Sequence, residues 1–159
     1  MKEKDLVSII MPSYNCGRFV AESVESILAQ TYQNWELLFV DECSSDDTLT
    51  TMMTFLERDK RIKVYQNNSN SGVAVSRNNA LRNARGRWIA FPDSGELWEP
   101  TKLERQIRFM QENGYAFSYT NYVEIDEQSR PLGVTVSGPK HISKAGMFAY
   151  CWPGCLSVM

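Results

Sequence analysis

Four apolar runs recur along the first hundred residues, and a segment of helical spacing follows each. Leu6 to Pro12 (LVSIIMP) is apolar on both faces, as in a buried parallel strand, and proline stops it. Gly17 to Gln30 places Phe19, Val20, Val24, Ile27 and Leu28 at helical spacing. Trp35 to Glu42 reads as a second buried strand that ends in acid. Ser44 to Asp59 opens on the capping candidates Ser44, Ser45 and Asp46 and continues as a helix. Arg61 to Asn67 is a third strand, and Gly72 to Gly86 is a helix with Gly86 just past its end. Arg87 to Phe91 is a fourth strand. Glu99 to Gly114 is a helix with Pro100 in its first turn and Gly114 as its stop. Tyr115 to Ile125 and Pro131 to Ser137 are later strands joined by a polar turn.

Alternating strands and helices call for a parallel sheet covered by helices. In such sheets ligands sit outside the carboxyl ends of the strands. The informative stretches are therefore PSYN (Pro12–Asn15), DECSSDD (Asp41–Asp47), NNSNSG (Asn67–Gly72) and PDSGE (Pro92–Glu96). The 159 residues are expected to form one domain over 1–159. A net charge of -2, with Lys plus Arg at 17 against Asp plus Glu at 19, gives no polybasic surface for nucleic acid or membrane. No apolar run approaches a membrane span, and the amino end lacks the apolar core of a secretory signal. Cys16, Cys43, Cys151 and Cys155 lack metal-knuckle spacing and are expected as reduced thiols in a cytosolic setting. The lone His141 is expected at the surface.

The nine glycines form neither G-x-G-x-x-G nor a P-loop, so the usual dinucleotide and nucleoside-triphosphate cradles are excluded. Ser13, Tyr14 and Asn15, after Pro12, offer a hydroxyl, a ring and an amide to a flat polar ligand, or form a plain polar loop. Asp41 and Glu42 can accept hydrogen bonds from a base or a ribose. Gly72 permits a tight lead into the third helix, whose amino end favours an anion. Arg77 lies one to two turns inside and either reaches a phosphate or stays exposed. Asp93 and Glu96 flank a Ser-Gly pair and could hold a divalent ion. Alternatively, Glu96 supports the amino end of the next helix.

These motifs in this order, collinear from Val7 to Leu103, resemble the family 2 glycosyltransferases of the GT-A fold. The resemblance implies an α/β fold with a mostly parallel, helix-covered sheet. It implies a nucleotide-sugar donor, with UDP as the expected nucleotide, a Mg or Mn ion, and inverting transfer to a hydroxyl of a glycan or lipid-linked acceptor. It implies work on bacterial surface polysaccharide, in the cytoplasm or at the inner face of the membrane. Donor-binding roles pass to Pro12, Ser13, Tyr14, Asn15, Asp41, Glu42, Gly72, Arg77 and Asp93, and metal roles to Asp93 and Glu96. The chain departs from the family where a second Asp usually reads the base: that position is Glu42. Gly95 stands where the principal metal-binding Asp is expected, and Glu96 replaces the last acid of the turn. Metal binding is therefore expected to be weak or lost, and a carboxylate at 95 is expected to strengthen it. The family's catalytic base is expected beyond Met159, so none is assigned here. The chain is thus expected to be the donor-binding half of a transferase, or alternatively a nucleotide-sugar-binding module without activity.

Overall fold

The computed structural model describes residues 3–143, 146 and 154–159. Cys151 lies outside the described residues, while Cys16 and Cys43 carry no disulfide. The chain alternates as expected: β1 (Glu3–Ser13), α1 (Gly17–Leu28), β2 (Trp35–Asp41), α2 (Thr48–Arg58), β3 (Ile62–Gln66), α3 (Val73–Asn83), β4 (Gly86–Ala90) and α4 (Lys102–Asn113). The four strands form one parallel sheet in the order β3-β2-β1-β4. β5 (Tyr122–Ile125) and β6 (Pro131–Val136) form a separate antiparallel hairpin.

Strand periodicity divides the core in two. Val7, Ile9, Met11, Leu37 and Phe39 pack against α1, α2 and α4. Ile10, Leu38 and Val40 face the other way, toward Ala80 of α3. Burying each large aliphatic side chain contributes roughly 1.5–3 kcal/mol, which makes the central pair β1 and β2 the best-anchored part of the sheet.

The apolar runs hide one polar contact. Ser8 and Glu36 are neighbours across β1 and β2, and both are buried. The Ser8 hydroxyl donates to Glu36 at 2.7 Å, and the Arg85 N–H donates to the same carboxylate at 2.9 Å. Arg85 Nε and Lys63 Nζ reach its other oxygen at 3.0 and 3.3 Å. Burial alone would raise the Glu36 carboxyl, but the Arg85 and Ser8 hydrogen bonds together hold it below its ordinary range.

Gly86 does not end α3, as its position in the sequence predicted. The helix stops at Asn83, and Ala84 is already extended. Gly86 instead starts β4, where its N–H donates to Ser8 Oγ at 2.8 Å. A Cβ there would lie 2.6 Å from Leu6 O and Ser8 N. Pro100 likewise precedes the helix, whose N-cap is Thr101, while Gly114 stops it in the left-handed region at φ 66°. Substituting Gly86→Ala is expected to cost about 3 kcal/mol or more, because the atoms in the way are backbone. Urea denaturation would show it, and a loss below about 1 kcal/mol would contradict this packing.

Candidate functional site

The parallel sheet sends all four strand ends to one edge, and the order of strand addition switches sides at β1, with β2 and β3 on one side and β4 on the other. Ser13 pairs in register with Asp41, and the Glu42 N–H donates to Ser13 O at 2.8 Å. Asp41 is fully buried. Its Oδ2 accepts the Ser44 N–H at 3.1 Å and the Gln66 amide at 3.3 Å. Its Oδ1 and the Ser13 hydroxyl have no hydrogen-bond partner. Glu42 is 5% exposed beside them.

The turn after β1 is tied to the loop after β2. Asn15 sits at φ 49°. Its N–H donates to Ser44 Oγ at 3.0 Å, and its Oδ1 accepts the Ser45 N–H at 2.9 Å. The Gly17 N–H donates to Asp46 Oδ2 at 2.9 Å, and the Cys16 N–H to Thr48 Oγ1 at 2.7 Å. Ser44 and Ser45 therefore hold the lead into α1 and are not the caps of α2; the α2 N-cap is Asp47. The Asn15 side-chain carbonyl is also committed within the protein. Tyr14, by contrast, stands 47% exposed at this edge. Gly72 is the N-cap of α3 at φ 88°, the tight turn expected of it.

The acidic turn is a closed unit. Arg77 Nη2 contacts Asp93 Oδ1 at 2.6 Å, so the sequence candidates from α3 and from the turn meet, while Arg77 Nε stays buried without a partner. The Asp93 N–H donates to Glu96 Oε2 at 2.7 Å, and the Glu96 N–H returns to Asp93 O at 3.2 Å. Glu96 thus caps its own turn rather than the helix that follows. Burial pushes its carboxyl up to about 7, against the opposing Asp93 N–H bond. Lys102 lies behind it, with Nζ 3.8 Å from the Trp98 ring centre and no hydrogen-bond partner. Burial brings its ammonium down to about 7.

Sequence reasoning missed what fixes this turn in place. The Gly95 N–H donates to Ser23 Oγ at 2.8 Å, and the Trp98 N–H to Ser26 Oγ at 3.2 Å. Gln30 Nε2 donates to Glu99 O at 2.8 Å and its Oε1 accepts the Leu103 N–H at 3.0 Å. The available signal was three polar residues at i, i+3 and i+7 on a helix otherwise read for its apolar face.

The carboxylates of this turn do not fit a resident Mg or Mn ion. Such ions take one or two free carboxylates with phosphate and water. Asp93 is engaged by Arg77, Glu96 by a backbone N–H, and Gly95 offers no side chain. Among the described residues no group of three or more His, Cys, Asp or Glu is placed to hold a metal. The described helices include none long and apolar enough to cross a membrane.

A family model described as glycosyl transferase family 2 matches residues 8–150. The chain belongs to this family. The family 2 chain is 45% identical over 154 residues to the Escherichia coli UDP-Glc:alpha-D-GlcNAc-diphosphoundecaprenol beta-1,3-glucosyltransferase WfgD, covering 97% of this chain and 59% of that protein. It is 41% identical to WfaP of the same species, a glucosyltransferase of the same description, covering 98% of this chain and 60% of that one. It therefore spans about three-fifths of the length of these curated relatives. Among solved structures, S. aureus TarS 1-349 in complex with UDP superposes with a TM-score of 0.66 at 30% identity, covering 74% of this chain and 34% of that one. The mannosyltransferase PcManGT from Pyrobaculum calidifontis, in complex with GDP-Man and Mn2+, gives 0.62 at 26% identity, covering 65% of this chain and 32% of that one. The sheet and its helices are of the GT-A type that the resemblance implied.

Two outcomes follow for the turn. Gly95 lies at φ 110°, and a Cβ there would have ordinary space, 3.8 Å from Phe19 Cβ. The Gly95→Asp substitution expected from sequence to restore metal binding is therefore expected to lower stability by about 1–3 kcal/mol through backbone strain alone. Thermal unfolding of the variant without metal checks this, and an unchanged midpoint would refute it. Lys102 has a folded pKa below its unfolded value, so its contribution to stability is lost as pH falls from about 10.5 toward about 7. Glu96 has a folded pKa above its unfolded value, so its contribution is lost as pH rises from about 4.5 to about 7. The pair thus contributes least near neutrality. Lys102→Met, which removes a buried unpaired ammonium and keeps its stem, is expected to be neutral or stabilising at pH 7 by up to ~2 kcal/mol. It should also flatten the rise in stability from pH 7 to 10. A destabilised variant that keeps the native pH profile would show that the ammonium is held by its surroundings.

Proposed function

We propose that this chain is the donor-binding unit, over residues 1–159, of a transferase that moves a sugar from UDP to an acceptor hydroxyl with inversion. The carrying observation is a set of three polar atoms that are buried and unpartnered: Ser13 Oγ, Asp41 Oδ1 and Arg77 Nε. Ser13 and Asp41 belong to the paired ends of β1 and β2, and Arg77 binds the turn after β4. A buried polar group without a partner costs roughly 1–3 kcal/mol. A ligand that completes these bonds at the strand ends removes that cost.

In this reading Asp41 and Glu42 take the base and ribose, and the exposed Tyr14 ring stacks on the base. The amino end of α3 at Gly72 faces the diphosphate. Arg77 exchanges its Asp93 contact for phosphate oxygens. Pro12 ends β1 so that the chain turns out at this point, and Asn15 fixes the turn through Ser45. TarS, solved in complex with UDP and with UDP-GlcNAc, supports the donor class. The activities of WfgD and WfaP support a lipid-linked saccharide acceptor; surface-polysaccharide synthesis at the inner face of the membrane is the setting this reading gives the chain. No step is assigned to a metal: Glu96 is held by the Asp93 N–H and Gly95 brings no side chain, so the turn offers Asp93 alone as a free carboxylate once Arg77 has left it. That engagement also favours a second reading, a nucleotide-sugar-binding module that performs no transfer.

Calorimetric titration with UDP tests the site. Tyr14→Ala is expected to weaken UDP binding by about 5- to 150-fold, the equivalent of roughly 1–3 kcal/mol for one stacked base. Equal affinity in the variant would reduce PSYN to a connecting loop.

A further inference from the structure

The donor reading asks α3 to bring two groups to the diphosphate, its amino end at Gly72 and the guanidinium of Arg77. Little apolar surface holds that helix in place. Its buried side chains are Ser76 and Ala80, both small, while Val73, Val75 and Leu81 stand exposed. By contrast α1 buries Val20, Val24 and Ile27, and α4 buries Leu103, Ile107 and Met110. A serine and an alanine remove far less apolar area from water than those side chains do.

Polar ties make up the difference, and two of them meet at one side chain. Asn67, the residue after β3, donates from Nδ2 to Ser76 Oγ at 2.8 Å, and its Oδ1 accepts Asn79 Nδ2 at 2.8 Å. Ser76 and Asn79 stand three apart, as neighbours on one face of α3. The backbone of Asn67 serves the opposite side of the joint: its N–H donates to Asp41 O at 2.9 Å. The adjacent Gln66 donates to Asp41 Oδ2 at 3.3 Å, while Oδ1 keeps no partner within the protein. We propose that Asn67 is a positioning residue of the donor site, joining the strand end that takes the base and ribose to the helix that takes the diphosphate. The proposal rests on the UDP reading above and gives Asn67 no contact with the donor itself.

Arg77 makes the joint necessary. Among the described residues, the side-chain hydrogen bonds from α3 to the rest of the protein are the two at Asn67 and the Arg77 contact with Asp93. A diphosphate that draws Arg77 off Asp93 removes one of these three ties as the donor binds. Asn67 then carries the polar attachment of α3 to the strand ends. A nucleoside without phosphates leaves Arg77 on Asp93 and makes no such demand. The tie therefore matters for UDP and not for uridine. Alanine at 67 separates the two sides of the joint, because it removes both side-chain bonds and keeps the backbone bond to Asp41.

The test is an NMR titration of the native protein and of Asn67→Ala with UDP and, separately, with uridine. Asn67→Ala is expected to weaken UDP by about 5- to 30-fold and uridine by less than about 2-fold, the scale of two modest hydrogen bonds felt by one ligand alone. Amide hydrogen exchange between Ser76 and Ala80 should quicken in the variant, while β2 keeps its native protection. Asn79→Ala, which cuts one of the two bonds, should give a smaller UDP loss with the same selectivity, and it decides the matter if Asn67→Ala does not fold. Equal losses for UDP and uridine overturn the proposal, since they mark general damage to the fold. So does native UDP affinity in both variants, which sinks the joint and leaves the donor reading standing. A native protein that binds neither ligand sinks the donor reading, and the joint falls with it.

Discussion

The candidate site depends on a polar ridge along α1. Ser23 and Ser26 on one face of α1, with Gln30 just past its end, accept or donate four hydrogen bonds to the backbone between Gly95 and Leu103. Ser23 is fully buried and Gln30 is 1% exposed, so the backbone groups they meet are shielded from water. Buried N–H and C=O groups must find partners, and this stretch runs from the turn after β4 into the first turn of α4, where no ladder supplies them. Each bond is worth only about 0.5–1.5 kcal/mol net. Their combined effect is positional: they set the acidic turn at the end of β4 and aim the start of α4. The turn that holds Arg77 and the entry to α4 are fixed by the same three side chains.

The contact between Arg77 and Asp93 gains meaning within that frame. Its partner carboxylate is 43% exposed, whereas the Arg77 side chain is only 22% exposed. Arginine carries five N–H donors in a fixed fork, and Asp93 takes one of them here while Nε finds none. A guanidinium so placed is oriented but under-used. An ion pair open to solvent on its acidic side contributes little stability, so an incoming anion can displace it at small cost. The pair is better understood as a holder for the arginine than as a strut of the fold.

Local patterning made the fold legible because period and punctuation are short-range signals. The two-sided apolar runs of β1 and β2 announced buried parallel strands, and the polar stretches after each strand fell on one edge. Most of the failures involve partners far away in sequence. Gly86 resembled a helix stop, but its role comes from Ser8 and Leu6, some 78 residues distant in the case of the Ser8 bond. Ser8 and Glu36 vanished into apolar runs because their pairing is a matter of strand register. Ser44 and Ser45 have the composition of a cap for the helix beside them, yet they serve the loop of Asn15, across 29 and 30 residues. Glu96 was weighed as a metal ligand and as a helix cap, and neither local option anticipated a bond back to Asp93.

The acidic turn shows why its chemistry cannot be judged from side chains alone. A glycine in place of an acid looks in sequence like a simple loss of a ligand. In the structure Gly95 has φ 110°, and this conformation accompanies the bond from its N–H to Ser23. An L-residue bearing a carboxylate resists that conformation, so the loss of the acid and the shape of the turn belong together. The same shape brings the Asp93 N–H onto Glu96 and encloses a carboxyl that burial drives toward its neutral form. Of the acids in the turn, Glu96 is taken by the Asp93 N–H, whereas Asp93, with its side chain 43% exposed, holds Arg77. The turn therefore presents a cation on an acidic tether, and the charge it can offer to a phosphate is that of the arginine.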